Sequence, residues 1–310
     1  MKKMSTREAY GRAITEFGAT NQFFVLDADL SKATRTDIFA KQFPSRFFNM
    51  GIAECDMMST AAGMATCGKK VFASTFAMFA TGRAYEQIRN SIAYPKLNVK
   101  IAATHGGVLI GPDGGSHQCI EDISLMRTIP GMVVLAPADA VEARAVVEAA
   151  IEYDGPVYMR FGRSDVPIIY DTENFEFKIG KGKTVLEGND LTIIAIGDMV
   201  YEAMEAAKHL KEEGIEARVI DMCSVKPIDI DLIIKAANET GRIVTVEDHN
   251  IIGGLGSAVS EVLAENCPVS LKRIGIMDVF GRSGQVKELA EYFGINAKAI
   301  IDGVKELLVK

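Results

Sequence analysis

No CxxC pair, no excess of basic residues and no apolar run of membrane-spanning length occur in this sequence. Each absence excludes something. The five cysteines, Cys55, Cys67, Cys119, Cys223 and Cys267, are odd in number and scattered. That argues against a disulfide framework or a cysteine-rich zinc site and fits reduced cytosolic thiols. Lys and Arg total 34 against 41 Asp and Glu, giving a formal net charge of −7. A general nucleic-acid binder would instead show a basic stripe. No N-terminal segment joins a basic start to the apolar core of a signal peptide. "MKKMSTREAYGRAITEF" begins basic but turns amphipathic, which predicts a first helix. A soluble cytoplasmic protein with no membrane or nucleic-acid partner is expected.

What is present is a chain of 310 residues, 48% hydrophobic, long enough for two domains. Short β-branched or aromatic runs recur: "QFFVLDADL" (22–30), "KVFAST" (70–75), "KLNVKIAAT" (96–104), "GMVVLAP" (131–137) and "PVYMRF" (156–161). Helical patterns such as "AECDMMSTAAGMATC" and "DAVEARAVVEAAIEY" fill the intervals. The alternation predicts right-handed βαβ units and a mostly parallel sheet covered on both faces, with ligands beyond the carboxyl ends of the strands. Between about 168 and 189 the pattern turns polar and glycine-punctuated, as an interdomain connection does. It then resumes with "LTIIAIG" (191–197), "EARVIDM" (216–222) and "RIVTVED" (242–248). The fold class is therefore α/β in two domains: residues 1–170, a linker over 171–187, and a smaller domain over 188–310. The acids of the smaller domain are expected to be solvated. The glycines of "IIGGLGSAVSEVLAEN" are expected to open a helix rather than grip a dinucleotide. His249 reads as a hydrogen-bonded loop residue and His209 as a surface residue of a helix.

Several candidates for chemistry follow the strands. Glu54 stands just inside a helix, among Ala53, Met57 and Met58, a setting that suggests burial beside a partner; such a carboxyl group suits proton transfer to a heterocycle nitrogen. Phe76 and Phe79 are three apart, which fits core packing or a wall for a flat ring. "GPDGGSHQCIED" (111–122) is too polar for a core, and on its own terms fits a metal loop, a phosphate cradle or a sugar site.

Taken in order, "GIAE", "STFAMF", "THGGVLIGPDGGSHQ", "IPGMVVLAPADAVEA" and "YMRFGR" resemble the transketolase family, over its pyrimidine-binding domain and its C-terminal domain. The resemblance covers essentially the whole chain. It implies a thiamine-diphosphate-binding fold followed by a smaller transketolase C-terminal domain, carried as a separate subunit. The implied activity moves a two-carbon ketol unit from a ketose phosphate to an aldose phosphate. By the same resemblance Glu54 hydrogen-bonds the aminopyrimidine of thiamine diphosphate and favours the tautomer that deprotonates the thiazolium carbon. Phe76 and Phe79 match the aromatic wall against that ring, and Asp29 an acidic position of the cofactor pocket. His105, Asp113 and His117 match residues of the sugar channel, with His117 counted beside Glu54 as catalytic. Arg7 and Arg160 match the arginines that clamp the sugar phosphate.

Three positions depart from the family pattern. Ala33 stands where a phosphate-contacting serine is usual, with Ser31 and Thr34 nearby as substitutes; Cys55 replaces a histidine, and Gly82 a tyrosine. No GDG segment, the family's metal-diphosphate signature, occurs. The resemblance therefore implies that an N-terminal partner subunit supplies the diphosphate site and its Mg2+ or Ca2+. The chain is expected to be inactive alone, to self-associate through the pyrimidine domain and to form a two-plus-two heterotetramer, with aliphatic positions around 57–66 and the helix at 83–93 as the expected contacts. Pentose phosphate metabolism is the default pathway. A deoxyxylulose-phosphate synthase, the β subunit of a 2-oxoacid dehydrogenase and a non-catalytic scaffold are the rivals; the run around Asp113 and His117 favours a sugar substrate.

Overall fold

The computed structural model describes residues 2–172 and 175–309. Among them the larger sheet runs in the order Ser224–Lys226, Val133–Leu135, Val157–Phe161, Val99–Thr104, Val71–Phe76, Phe24–Asp27 and Phe47–Asn49. Every neighbouring pair is parallel except the first. The two central strands, Val71–Phe76 and Val99–Thr104, are buried along their whole length, which is why they read as apolar runs rather than alternating ones. Side chains still alternate between faces. Phe72 packs with Tyr10, Ala13 and Val146 under the helices Thr6–Gly18 and Ala140–Glu152. Val71 and Ala73 pack with Met57, Met58 and Ile88 under the helix Glu54–Thr66 and the segment that follows Phe76. Met57, Met58 and Ala61 are thus fully buried in their own chain, so these three do not supply the intersubunit contacts that the sequence suggested around 57–66.

The segment after Phe76 is helical, but with π-type hydrogen bonding over Phe79–Arg83 and Gln87–Ala93. Such widened turns are rare and frequently lie at functional sites.

The smaller sheet runs Ser270–Ile276, Arg242–Asn250, Leu191–Ala195, Ala217–Asp221 and Lys183–Leu186, with only the last strand antiparallel. Two strands cross the expected boundaries. Lys183–Leu186, inside the stretch read as linker, is an edge of this sheet. Ser224–Lys226, from the smaller domain, extends the larger sheet by pairing with Val133–Leu135.

The acids of the smaller domain are not all solvated. Asp221, Glu247 and Asp248 are buried, and each accepts hydrogen bonds within the chain. Glu247 accepts from the amides of Leu255 and Gly256 at 2.7 and 2.8 Å, the N-terminus of the helix Leu255–Asn266 that the glycines open. His249 is hydrogen-bonded as expected but lies within a strand rather than a loop, fully buried, with Nδ1 2.7 Å from the Asn250 carbonyl oxygen, and burial pushes its pKa down to about 4. His209 lies on the outer face of the helix Met199–Glu212, as expected.

Candidate active site

The adjacent strands Phe24–Asp27, Val71–Phe76 and Val99–Thr104 end side by side, bringing Asp29, Phe76 and His105 to one edge of the larger sheet. Phe76 stacks on His105, centroids 3.8 Å apart, and on Phe79 at 5.6 Å. His117 meets both phenylalanines edge-on, at 6.2 and 5.3 Å. Two rings of a wall and two imidazoles thus form one aromatic group. Gly82 lacks the usual tyrosine, and Met78 takes that space: a Cβ on Gly82 would lie 2.3 Å from the Met78 methyl.

Glu54 is the first residue of its helix and only 4% exposed. Its partner is Arg83, which donates to both carboxylate oxygens at 3.0 and 3.2 Å. The same guanidinium lies 4.1 Å from the centroid of Phe79, a cation–π contact. A buried carboxylate and an aromatic face therefore already hold one flat, nitrogen-rich group. The residues present fit the aminopyrimidine end of thiamine diphosphate, which is flat and offers the same kind of donor. Asp29 is exposed and accepts from the Asn49 amide at 2.8 Å.

His105 is buried, and its pKa is pushed down to about 3, first by burial and then by the cations of Arg7 and Arg163. It is neutral at any working pH. Arg7 donates to Nε2 at 3.3 Å, so the ring proton sits on Nδ1, 2.8 Å from the Thr104 hydroxyl. The loop beyond His105 is fixed from the smaller domain. Asp248 accepts from the Val108 and Leu109 amides at 2.9 and 3.1 Å. Gly107 is required there: its φ is +82°, and a Cβ would lie 2.0 Å from the Asp248 carboxylate. Gln118 donates to the carbonyls of Val108 and Arg282, and Ser283 to that of Pro112. Asp113 and His117 ride on this clamped loop.

Arg160 does not join them. It lies within a strand, 9% exposed, paired at 2.8 Å with the fully buried Asp122 and donating to the carbonyls of Cys119 and Asp248. Burial and three protein acceptors make it an interdomain pin rather than a phosphate clamp. The arginine of that segment which reaches the site is Arg163, two residues past the strand end, 3.6 Å from Asp113. The rule that ligands lie beyond strand ends points to Arg163 rather than Arg160. Arg7 and Arg163 border a groove of ≈ 760 Å³ that is also lined by Lys3, Arg12 and Arg35, against two carboxylates, Glu8 and Asp165. Thr34 does not substitute for the missing serine. Its hydroxyl is buried and donates to Asp27 at 2.7 Å. Among the described residues no group of three or more His, Cys, Asp or Glu side chains is placed to hold a metal ion.

Comparison with known proteins agrees with this geometry. The pyrimidine-binding domain of transketolase matches residues 2–168, and the transketolase C-terminal domain matches residues 180–300. A protein from Methanocaldococcus jannaschii described as a transketolase C-terminal section is 53% identical over 98% of this chain and 96% of its own length. A 6-deoxy-6-sulfo-D-fructose transketolase subunit from a Clostridium species is 42% identical over 97% of this chain and 94% of its own. A solved split-gene transketolase, described as an inactive β4 tetramer, shares 52% identity and a TM-score of 0.91, covering 99% of both chains. The chain belongs to the transketolase family, in the split form in which these two domains make up a separate subunit.

Proposed function

We propose that this chain carries the pyrimidine and sugar side of a two-chain transketolase. With an N-terminal partner that holds the diphosphate and its Mg2+ or Ca2+, it moves a two-carbon ketol unit from a ketose phosphate to an aldose phosphate. The observation that carries this reading is one continuous line of groups: Glu54, Phe79, Phe76, His105, Arg7 and the cationic groove. It runs from a ring-binding carboxylate to an anion site.

Thiamine diphosphate, when bound, supplies the carbon nucleophile that takes up the two-carbon unit. The residues of this chain bind and orient around it. Glu54 would hold the pyrimidine end by a hydrogen bond, Phe79 and Phe76 would offer it an aromatic face, and Asp29 would add an acidic group to the cofactor pocket. His117 binds hydroxyls near the attacked carbon, and Asp113 accepts from the neighbouring hydroxyl. Neutral His105 stands between the aromatic wall and Arg7. Arg7 and Arg163 take the terminal anion in a charge-assisted, bidentate manner.

The proposed assembly is supported by exposed apolar side chains of the same domain. Ile52, two residues before Glu54, is 76% exposed, and Tyr94 is 86% exposed. Large apolar side chains left in solvent suit contact with a second polypeptide. A two-plus-two heterotetramer, self-associated through the pyrimidine domain, is the proposed unit. No helix among the described residues is long and apolar enough to cross a membrane, and a cytoplasmic location and pentose phosphate metabolism are proposed. The Clostridium relative is named for a sugar that ends in a sulfonate; for this chain a phosphate is proposed, on the charge of the groove.

The test mixes the chain with its partner subunit, thiamine diphosphate and Mg2+, and follows ketol transfer from xylulose 5-phosphate to ribose 5-phosphate. Activity is expected only in the mixture, and Glu54→Gln is expected to abolish it while leaving assembly intact. Activity from this chain alone would overturn the two-subunit reading. An active Glu54→Gln variant would overturn the role of Glu54.

A further inference from the structure

Arg35 belongs to no motif that the family reading uses, yet the fold takes trouble over it. Among the described residues five non-glycines adopt positive φ, and three of them, Asp29, Arg35 and His105, lie around this site. Left-handed backbone at a non-glycine residue costs energy and persists only where its surroundings enforce it. For Arg35, with φ 68°, the enforcement is visible. The hydroxyls of Thr34 and Thr36, on either side, both donate to one oxygen of the buried Asp27, at 2.7 and 2.9 Å, while the Leu30 amide donates to the other at 2.6 Å. Across the contact, Gly11 admits the Arg35 backbone: a Cβ there would lie 2.4 Å from the Arg35 carbonyl oxygen. The result directs the guanidinium along the helix that carries Arg7, where Nε is 2.9 Å from Glu8.

The electrostatics show what this achieves. Five cationic side chains line the groove against two carboxylates, in a chain whose overall charge is −7. Glu8 is shared between Arg12 and Arg35, and Arg163 already faces Asp113. Arg7 is buried enough for its pKa to be lowered, first by burial and then by Arg35 and Arg163, and its Nε is buried without a partner. Like charges brought together with too few counterions form an anion site.

We propose that Arg35 is a third arm of the terminal-anion clamp and that it sets the preference for a dianionic end group, a phosphate monoester, over a monoanionic one such as a sulfonate. The proposal rests on the sugar-phosphate reading above. Its physical basis is that Coulomb energy scales with the charge of the ligand. Deleting one fixed positive charge costs a dianion about twice the free energy it costs a monoanion in the same place, so the loss in affinity for the dianion is roughly the square of that for the monoanion. Arg35 thereby supplies the anion-end contact that Ala33 cannot make.

The test is equilibrium binding to the assembled two-chain complex, using fructose 6-phosphate, 6-deoxy-6-sulfofructose and unsubstituted fructose as probes. Arg35→Met is expected to weaken the phosphate about 10-fold and the sulfonate about 3-fold, to leave fructose unchanged, and Arg35→Lys to restore most of the loss. The discrimination should shrink below about pH 6, where the phosphate monoester takes up its second proton. Equal losses for both anions, or no loss while wild type binds both, would overturn the role of Arg35 and leave the sugar-phosphate reading standing. Wild-type complex that binds both anions no better than fructose would overturn both. A loss with Met that Lys fails to restore would mark Arg35 as a packing residue and reject charge recognition.

Discussion

The Arg83 guanidinium bonds both oxygens of Glu54, at 3.0 and 3.2 Å, and lies 4.1 Å from the centre of the Phe79 ring. It therefore occupies the acceptor and the ring face that the family reading gives to the aminopyrimidine. Arg83 is half exposed and on a π-helical turn, so the side chain has solvent to move into. Arg83→Met is expected to tighten thiamine diphosphate binding in the assembled complex several-fold. It should also destabilise the chain by about 1 kcal/mol, because the buried Glu54 loses its partner. Calorimetric titration of cofactor and thermal unfolding check the two effects separately; weaker cofactor binding would make Arg83 a support of Glu54 rather than a competitor.

Asp248 holds the loop that leads to Asp113 and His117 from the other domain, through the amides of Val108 and Leu109. Asp248→Ala leaves both without an acceptor, at about 1–3 kcal/mol each for a buried donor. Faster hydrogen exchange at these two amides is expected, together with a kcat that falls more than assembly does. Unchanged exchange would show that Gln118 and Ser283 hold the loop without it.

His105 is expected to stay neutral, with its proton on Nδ1, throughout pH 5–8, since burial and the neighbouring arginines push its pKa down to about 3. The nitrogen shifts of 15N-labelled histidine report this directly. A resonance assigned to His105 that titrates near pH 6 would contradict the buried setting.

Asp221 is buried near Glu142 and accepts from Tyr170 at 2.7 Å. Burial above all raises both carboxyl groups, Asp221 to about 7. The folded chain thus retains protons that the unfolded chain gives up near pH 4. The stability from this source is fully present below about pH 4 and is lost as pH rises through about 7. The thermal midpoint is expected to fall between pH 5 and pH 8, and Asp221→Asn should flatten part of that slope. Glu142, together with Asp198 and Glu247, which burial also raises to about 7, contributes to the same slope. A slope that Asp221→Asn leaves untouched would assign the effect to the other buried carboxyl groups.

The sequence by itself determined the sheet and which candidate residues stand at the ends of its strands. Parallel strands buried on both faces leave continuous apolar runs, and the residues at or just past their ends, Asp29, Phe76 and His105, come to one edge because adjacent parallel strands end together. Glu54 was legible as a buried helical glutamate that needs a partner, but the partner was not. Arg83 lies 29 residues away on a different element, the π-helical turn Phe79–Arg83, and helical spacing relates only residues of the same helix. Only the tertiary structure decided between Arg160 and Arg163. One lies inside a strand against the buried Asp122, the other just beyond it beside Asp113 and the cationic groove, and three residues of chain separate the two settings. Asp248, Gln118 and Arg35 acquire their meaning from groups far away in the chain or from an enforced left-handed turn. Local composition records which residues favour a strand or a helix; it does not record which distant backbone closes on them, and that closure is where this site gets its loop, its charge and its shape.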